Sequence, residues 1–179
     1  MEDITITYSL PQVGEIYISE QPNLLVSGGT TGLRTWEASL LLSEYLLSLP
    51  LAGNRVLELG AGTGIASIVA HKLGAQVLST DGSEQVIQKL QHNFKLNDSE
   101  IETKTLWWGE NDPILERHFD FIIGADITYD VDVCSALAET YLCVLRRGGI
   151  GILAVTIRNE DTVNTFVKEC GKPTFAWDD

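Results

Sequence analysis

The spacing of apolar residues near the N-terminus is typical of strands. Ile4, Ile6 and Tyr8 alternate with polar residues, and Ile16 and Ile18 do so again after a turn region that contains proline and glycine. Alternation with a period of two predicts two short strands, which the turn joins into a hairpin. A glycine-rich loop separates this hairpin from the rest of the chain.

After this loop the pattern changes to amphipathic helices that alternate with short apolar runs of strand length. The first predicted helix begins at Thr35 as N-cap and ends at Leu49, because Pro50 follows. The predicted strands are residues 56–59, 76–80, 103–107, 119–124 and 151–157; the further helices are residues 65–73, 84–96 (N-cap Ser83), 133–146 and 160–170 (N-cap Asn159).

This alternation predicts an α/β fold with a parallel sheet, because crossover connections between parallel strands place helices on both faces. The chain has 179 residues, of which 44% are hydrophobic, enough for one domain with a substantial core. We therefore divide it into an N-terminal hairpin and loop, residues 1–32, and one α/β domain, residues 33–179.

Charge and composition exclude several classes of function. The net charge of −13 argues against nucleic-acid binding, which requires clustered Lys and Arg. The acidic surface either attracts a basic substrate or only keeps the protein soluble. Three cysteines and three histidines without metal-type or redox-type spacing predict neither a disulfide framework nor a metal site. We expect no signal peptide and no membrane span, and hence an intracellular protein.

Residues 56–64, VLELGAGTG, combine a buried strand, a glycine-rich turn and the start of a helix. Glycines permit positive φ and let a ligand approach the backbone closely. Ligands of open α/β sheets bind at the carboxyl ends of the strands, where this turn lies. The sequence therefore predicts a ligand site at the turn.

Two acids next to this turn indicate the ligand. Asp81 ends the following strand, where a carboxylate can accept hydrogen bonds from both hydroxyls of a ribose. The fingerprint of nicotinamide and flavin sites, G-x-G-x-x-G, would require a glycine at Ile65. Glu58 also suits a cationic amino-acid tail better than a pyrophosphate. These features favour S-adenosylmethionine as the ligand. The alternative is that the glycines only form a turn and that the acids are solvated.

Two further groups follow the next predicted strands. Either Trp107 or Trp108 could border an adenine ring, or one of them could pack under a helix. Residues 125–129, ADITY, follow the fourth strand of the sheet. Asp126 and Tyr129 then lie at the mouth of the pocket, or they serve as a helix cap and a packed aromatic; the pattern leaves both interpretations open.

Three of these motifs resemble those of a known family. Residues 58–64 resemble motif I of the seven-β-strand methyltransferases, residues 126–129 the D-x-x-Y motif of the family 16 protein-lysine methyltransferases, and residues 32–38 their W-x-A entry to the first helix. Within the family, residues 28–36 and 155–159 are most similar to the fungal and animal enzymes that methylate a lysine of translation elongation factor 2. The resemblance extends from about residue 24 to the end.

The resemblance implies a Rossmann-like seven-strand sheet and a cytoplasmic, monomeric enzyme. Its cofactor would be S-adenosylmethionine and its substrate a protein lysine, in elongation factor 2, without membrane or direct nucleic-acid partners. The cofactor-binding residues would be Glu58, Gly60 and Gly62 at the methionine moiety, Asp81 at the ribose, Trp36 closing the pocket, Trp108 beside the adenine, and Ala125. Asp126 and Tyr129 would be catalytic, orienting the substrate amine. A small-molecule methyltransferase and an inactive cofactor-binding partner protein are the alternatives.

The chain departs from the family at its C-terminal end. Residues 174–177 would supply a sixth strand of the sheet, and the sequence ends at Asp179 without a candidate for the seventh. We therefore expect the final strand to be missing, which leaves the closing hairpin with an exposed edge.

Overall fold

A parallel sheet, preceded by an antiparallel hairpin, organises the chain in a computed structural model that describes residues 3–21, 31–157 and 160–171. Among these residues no helix has the length and apolar character needed to cross a membrane. The elements in chain order are β1 (Ile4–Leu10), β2 (Gly14–Glu20), α1 (Glu37–Leu46), β3 (Arg55–Glu58), α2 (Ile65–Lys72), β4 (Gln76–Asp81), α3 (Glu84–Leu96), β5 (Glu102–Thr105), a 3₁₀ helix (Pro113–Glu116), β6 (Phe121–Ala125), α4 (Val131–Leu145), β7 (Ile150–Ala154) and α5 (Glu160–Glu169).

In the described part of the chain the main sheet has five strands in the order β5-β4-β3-β6-β7, all parallel. The chain starts at the centre with β3, builds outward to β5, and then returns to the other side of β3 with β6. The strand order therefore reverses between β3 and β6, at the kind of switch point where open α/β sheets bind ligands. The predicted α/β fold with an N-terminal hairpin is confirmed.

A separate hydrophobic cluster covers each face of the sheet. Val56 of β3 belongs to the cluster made with α1, α2, α3 and the hairpin, and its neighbour Leu57 belongs to the cluster made with α4, α5 and the 3₁₀ helix. Both residues are fully buried. Successive side chains of a strand point to opposite faces, which explains why the strand is apolar at adjacent positions.

Two amide side chains of α3 bind the edge of β2 as a neighbouring strand would. Asn97 accepts a hydrogen bond from the Tyr17 N–H at 2.9 Å and donates to the Tyr17 carbonyl at 2.7 Å. Asn93 makes the same pair of bonds with Ser19, at 2.9 and 3.2 Å. The asparagines lie four residues apart on a helix, so they share one face. They satisfy main-chain groups that an uncovered strand edge would expose.

Several predicted boundaries are wrong by one to three residues. Helix α1 has its N-cap at Trp36 and not at Thr35, whose hydroxyl pairs instead with the Thr63 hydroxyl at 2.8 Å. Strand β5 ends at Thr105, so both tryptophans lie in the loop that follows. Strand β7 ends at Ala154, because the Thr156 N–H turns from the sheet to the Asp126 carboxylate.

Of four other predicted features, one is confirmed, one begins at a different residue and two lie outside the described residues. Ser83 caps α3 by accepting a hydrogen bond from Val86 N, as predicted. Helix α4 begins at Val131, two residues before the predicted start, because Asp130 caps it. The predicted cap Asn159 and the predicted strand at residues 174–177 lie outside the described residues.

Candidate active site

A cavity of about 440 Å³ opens at the carboxyl ends of β3, β4 and β6, beside the switch point. Its volume lies within the range of small-molecule sites. The structure brings eight of the nine predicted site residues to its wall: Trp36, Gly60, Gly62, Asp81, Trp108, Ala125, Asp126 and Tyr129. Glu58, the ninth, lies behind the wall.

The glycine loop forms the floor of the cavity, and its conformation requires glycine. Gly60 and Gly62 have φ of +64° and +56°, a left-handed region that other residues rarely adopt. A Cβ added to Gly60 would lie 2.6 Å from Ile127 Cγ2 and 3.2 Å from Trp108 Cζ2. The bare backbone of the loop therefore faces the cavity directly.

Asp81 ends β4 with its carboxylate fixed by two main-chain donors. The Gly62 N–H donates to Oδ2 at 3.2 Å and the Ser83 N–H to Oδ1 at 3.1 Å. Burial raises the pKa of Asp81, and these hydrogen bonds oppose the rise. Each oxygen has a further lone pair, so the carboxylate can accept two more hydrogen bonds from a ligand in the cavity.

Glu58 is only 2% exposed and faces α2, where its carboxylate is hydrogen-bonded to the Ser67 hydroxyl. Ser67 in turn contacts the Ser79 hydroxyl at 2.9 Å. Burial raises the pKa of Glu58 to about 7; the Ser67 hydrogen bonds lower it and the Asp81 charge raises it. The residue predicted to contact a methionine moiety is thus buried next to the glycine loop and does not line the cavity.

As pH rises from below 4.5 to above 7, Glu58→Gln is expected to gain about 3 kcal/mol of stability relative to wild type. Because the pKa is raised from 4.5 to about 7, the folded protein holds a proton that the unfolded chain releases in that window. This carboxyl therefore reduces stability as pH rises from 4.5 to 7. The melting temperature of the variant, relative to wild type, should increase through this window and then level off. Glu44→Gln, at an exposed position of α1, is the control; a difference for Glu58→Gln that does not vary with pH would contradict the prediction.

Aromatic side chains form three parts of the wall. Trp108 approaches Gly60, whereas the ring of Trp107 lies 3.4 Å from the position of a Cβ on Gly82 and is 61% exposed. Trp36 donates from Nε1 to the Thr31 carbonyl at 3.0 Å. Both tryptophans after β5 therefore line the cavity, and neither is packed under a helix away from it. The family motif selected only Trp108, although the sequence offered either.

Asp126 is held at the mouth of the cavity by one residue after β7. The N–H of Thr156 donates to Oδ1 at 2.7 Å, and its hydroxyl to Oδ2 at 3.1 Å. Asp126 has φ of +52°, a left-handed conformation that aspartate tolerates better than most residues. The alternative role as a helix cap is wrong, because Asp130 caps α4. Thr156 was missed, since its sequence position gives no sign of this contact.

Tyr129 stands at the rim of the cavity and is 57% exposed. Partial burial raises the pKa of Tyr129, and the nearby Thr31 side chain opposes the rise. The phenol therefore remains protonated at neutral pH and can donate or accept a hydrogen bond. The alternative of a tyrosine packed in the core is wrong.

Solved structures with this architecture are methyltransferases. The T. thermophilus 16S rRNA N2 G1207 methyltransferase, solved with AdoMet and guanosine, has a TM-score of 0.65 and 21% identity over 94% of the chain and 46% of its own. The Pyrococcus abyssi tRNA (uracil-54, C5)-methyltransferase, solved with S-adenosyl-L-homocysteine, has a TM-score of 0.62 and 18% identity over 93% of the chain and 38% of its own. The chain therefore shares the Rossmann-like fold of these methyltransferases.

Residues 21–172 match the family described as lysine methyltransferase, and the chain belongs to this family. Membership confirms the resemblance of the motifs and the predicted cofactor, S-adenosylmethionine.

Curated relatives carry consistent names. The protein-lysine N-methyltransferase EFM3 of Saccharomyces cerevisiae is 37% identical over 96% of the chain and 58% of the relative. EFM3 of Chaetomium thermophilum is 41% identical over 90% of the chain and 53% of the relative. The protein-lysine N-methyltransferase EEF2KMT of Mus musculus is 29% identical over 97% of the chain and 58% of the relative. The chain thus spans somewhat more than half the length of these relatives.

Proposed function

We propose that the protein transfers a methyl group from S-adenosylmethionine to a lysine side chain of a protein substrate. The observation that carries this proposal is that Asp126 lines the same cavity as the glycine loop and Asp81. An incoming ammonium group would bind to this carboxylate, beside a pocket that suits a nucleoside.

The residues of the cavity fit the cofactor. Asp81 would accept the ribose hydroxyls, and the bare backbone of Gly60 and Gly62 would lie along the amino-acid part. Glu58 would stabilise the ammonium of that part from beneath the loop, and Trp108 would flank the adenine. Bound S-adenosylmethionine supplies an electrophilic methyl group on a sulfonium.

The substrate amine has to lose a proton before it can react, because a free lysine has a pKa of about 10.4. Asp126 favours the ammonium form, so its role is to dock and align the lysine and not to remove its proton. Desolvation between Trp36 and Tyr129 then favours the neutral amine. Asp126 would hold the neutral amine toward the methyl group of the bound cofactor, with the released proton passing to solvent water, and this alignment can supply about 7–11 kcal/mol of the barrier.

The net charge supports a basic protein segment as substrate. With 25 acidic and 12 basic residues, the chain attracts a lysine-rich surface and repels nucleic acid. We propose translation elongation factor 2 as this substrate, on the basis of the motif resemblance and the similarity to EFM3 and EEF2KMT. We also propose that the protein is a monomer and that it acts in the cytoplasm.

The test is transfer of label from S-adenosylmethionine carrying a radioactive methyl group. The purified chain is incubated with cell lysate, with lysate depleted of elongation factor 2, and with the purified factor. A labelled protein band that disappears on depletion and returns with the factor supports the whole proposal. Label in the small-molecule fraction alone would favour a metabolite methyltransferase, and cofactor binding without any transfer would favour a binding protein; either result rejects a protein-lysine methyltransferase.

Thr156→Val is expected to lower turnover about tenfold without changing cofactor affinity. The valine retains the main-chain bond to Asp126 and loses the hydroxyl bond, so the carboxylate is less well aligned, and misplacement in a site reduces rate. Thr156→Ser keeps the hydroxyl and should turn over at close to the wild-type rate. Equal turnover of Thr156→Val and wild type at saturating cofactor would show that the Thr156 hydroxyl does not align Asp126.

A further inference from the structure

Behind the glycine loop lies a set of buried polar residues that the proposed reaction does not use. Ser19, Glu20, Thr35, Thr63 and Asn93 are each 7% exposed or less, and none of them lines the cavity. We call this set the hinge network, because it joins four separate parts of the chain: strand β2, the segment before α1, the glycine loop and helix α3.

The bonds of the hinge network form a continuous path. Asn93, already bonded to Ser19 of β2, also donates to the Thr63 carbonyl in the glycine loop at 2.9 Å. The Thr63 hydroxyl pairs with the Thr35 hydroxyl at 2.8 Å. The Thr35 N–H donates to the Glu20 carboxylate at the end of β2 at 2.9 Å. The path therefore starts and ends on the hairpin and passes through the loop.

The segment that this network fixes is itself a wall of the cavity. Thr31, Gly32 and Trp36 line it, and Gly32 crosses the glycine loop so closely that a Cβ on Gly62 would lie 3.4 Å from the Gly32 carbonyl oxygen. A shift of this segment would displace the part of the wall that Trp36 lines. Thr35, beside Trp36, is the residue through which the segment joins the loop.

Buried polar groups of this kind hold a geometry, because each loses hydrogen bonds if its partner moves away. Apolar side chains would fill the same space, but they would not fix how the segment before α1 is oriented on the glycine loop. The hairpin is thus connected to the floor and one wall of the cavity by directional bonds as well as by apolar contact.

We propose that the hinge network is a positioning device for the cofactor: it holds the segment 31–36 on the glycine loop, so that affinity depends on hairpin and α3 residues that do not touch the ligand. This inference rests on the proposed cofactor site. When the network is broken, only a fraction of molecules has the wall in place, and the apparent dissociation constant rises in inverse proportion to that fraction.

The test measures binding of S-adenosylhomocysteine by calorimetry to the full chain and to variants of similar volume. Thr63→Val and Thr35→Val should each raise Kd about tenfold. The KM for S-adenosylmethionine should rise in parallel, with kcat at saturating cofactor within about twofold of wild type. Thr63→Ser, which keeps the hydroxyl, should restore the wild-type Kd. The Kd of the double valine variant should not exceed the higher of the two single-variant Kd values, because both changes break the same contact between Thr35 and Thr63.

Ser43→Ala is the control, since Ser43 is fully buried in α1 and donates only locally, to the Ser39 carbonyl at 2.7 Å. It should leave Kd unchanged. Circular dichroism establishes that each variant is folded, and if Thr63→Val is not, Thr35→Val decides. Unchanged Kd in a folded valine variant, failure of serine to restore it, or additive effects in the double variant would overturn the inference. A folded wild-type chain that binds no S-adenosylhomocysteine would overturn the proposed function itself, and the inference with it.

Discussion

Asp126→Ala is expected to lower the rate of lysine methylation at least about a hundredfold and to leave cofactor affinity within about twofold. Loss of one partner of a close charge pair costs about 2–5 kcal/mol, and here the lost partner is the group that docks the ammonium. The carboxylate accepts two hydrogen bonds from Thr156, and its removal is expected to leave the glycine loop at the floor of the cavity in place. Initial rates and calorimetry with S-adenosylhomocysteine measure the two effects separately.

A neighbouring acid provides the control for this variant. Asp130 caps α4 by accepting a hydrogen bond from the Asp132 N–H, and it does not line the cavity. Asp130→Ala should reduce stability by about 1 kcal/mol and retain turnover. If Asp126→Ala methylates at near the wild-type rate, the lysine is docked elsewhere, and Tyr129 becomes the next residue to replace.

Asp81→Asn is expected to weaken cofactor binding at least about a hundredfold. Hydrogen bonds to a charged group contribute about 1.5–3 kcal/mol each, and the ribose would make two of them. Asparagine retains only one acceptor oxygen, and its NH2 group would face the N–H of either Gly62 or Ser83, donor against donor. Binding is measured by calorimetry, and kcat at very high cofactor concentration should fall much less than affinity.

The matched control is an aspartate at the opposite end of the sheet. Asp120 precedes β6 and accepts a main-chain hydrogen bond from Arg55 at 2.7 Å, much as Asp81 accepts from Gly62. Asp120→Asn should leave cofactor affinity unchanged, because the cavity lies at the carboxyl ends of the strands. Equal weakening by the two variants would mean that the effect of Asp81→Asn is a general loss of structure.

The fold and the cavity wall were largely predictable because both depend on local sequence. The period of apolar residues predicts each element of the sheet, and a glycine turn between a strand and a helix has a fixed place in an open α/β fold. Gly60, Gly62 and Asp81 follow directly from this order. Position after a strand made Asp126 a candidate, but only the family resemblance favoured the site over a helix cap.

Contacts between distant segments could not be predicted in this way. Thr35 has the sequence position of a helix cap, and only its distance to Thr63 assigns it another role. Thr156 has the pattern of a strand residue, yet its N–H leaves the sheet for Asp126. Asn93 is a polar residue on an amphipathic helix and is therefore expected in solvent, but it is fully buried. Each of these depends on a partner that local periodicity does not encode.

The two asparagines of α3 also bear on how the protein behaves at high concentration. A two-stranded ribbon normally offers its outer main-chain groups to any extended segment that meets it, including the same ribbon of another copy. Here the groups of Tyr17 and Ser19 are already occupied by side chains of a helix, which cannot propagate the pairing further. Side chains of the helix thus block the pairing of another strand with the β2 edge, and this edge is protected from self-assembly for as long as α3 remains folded.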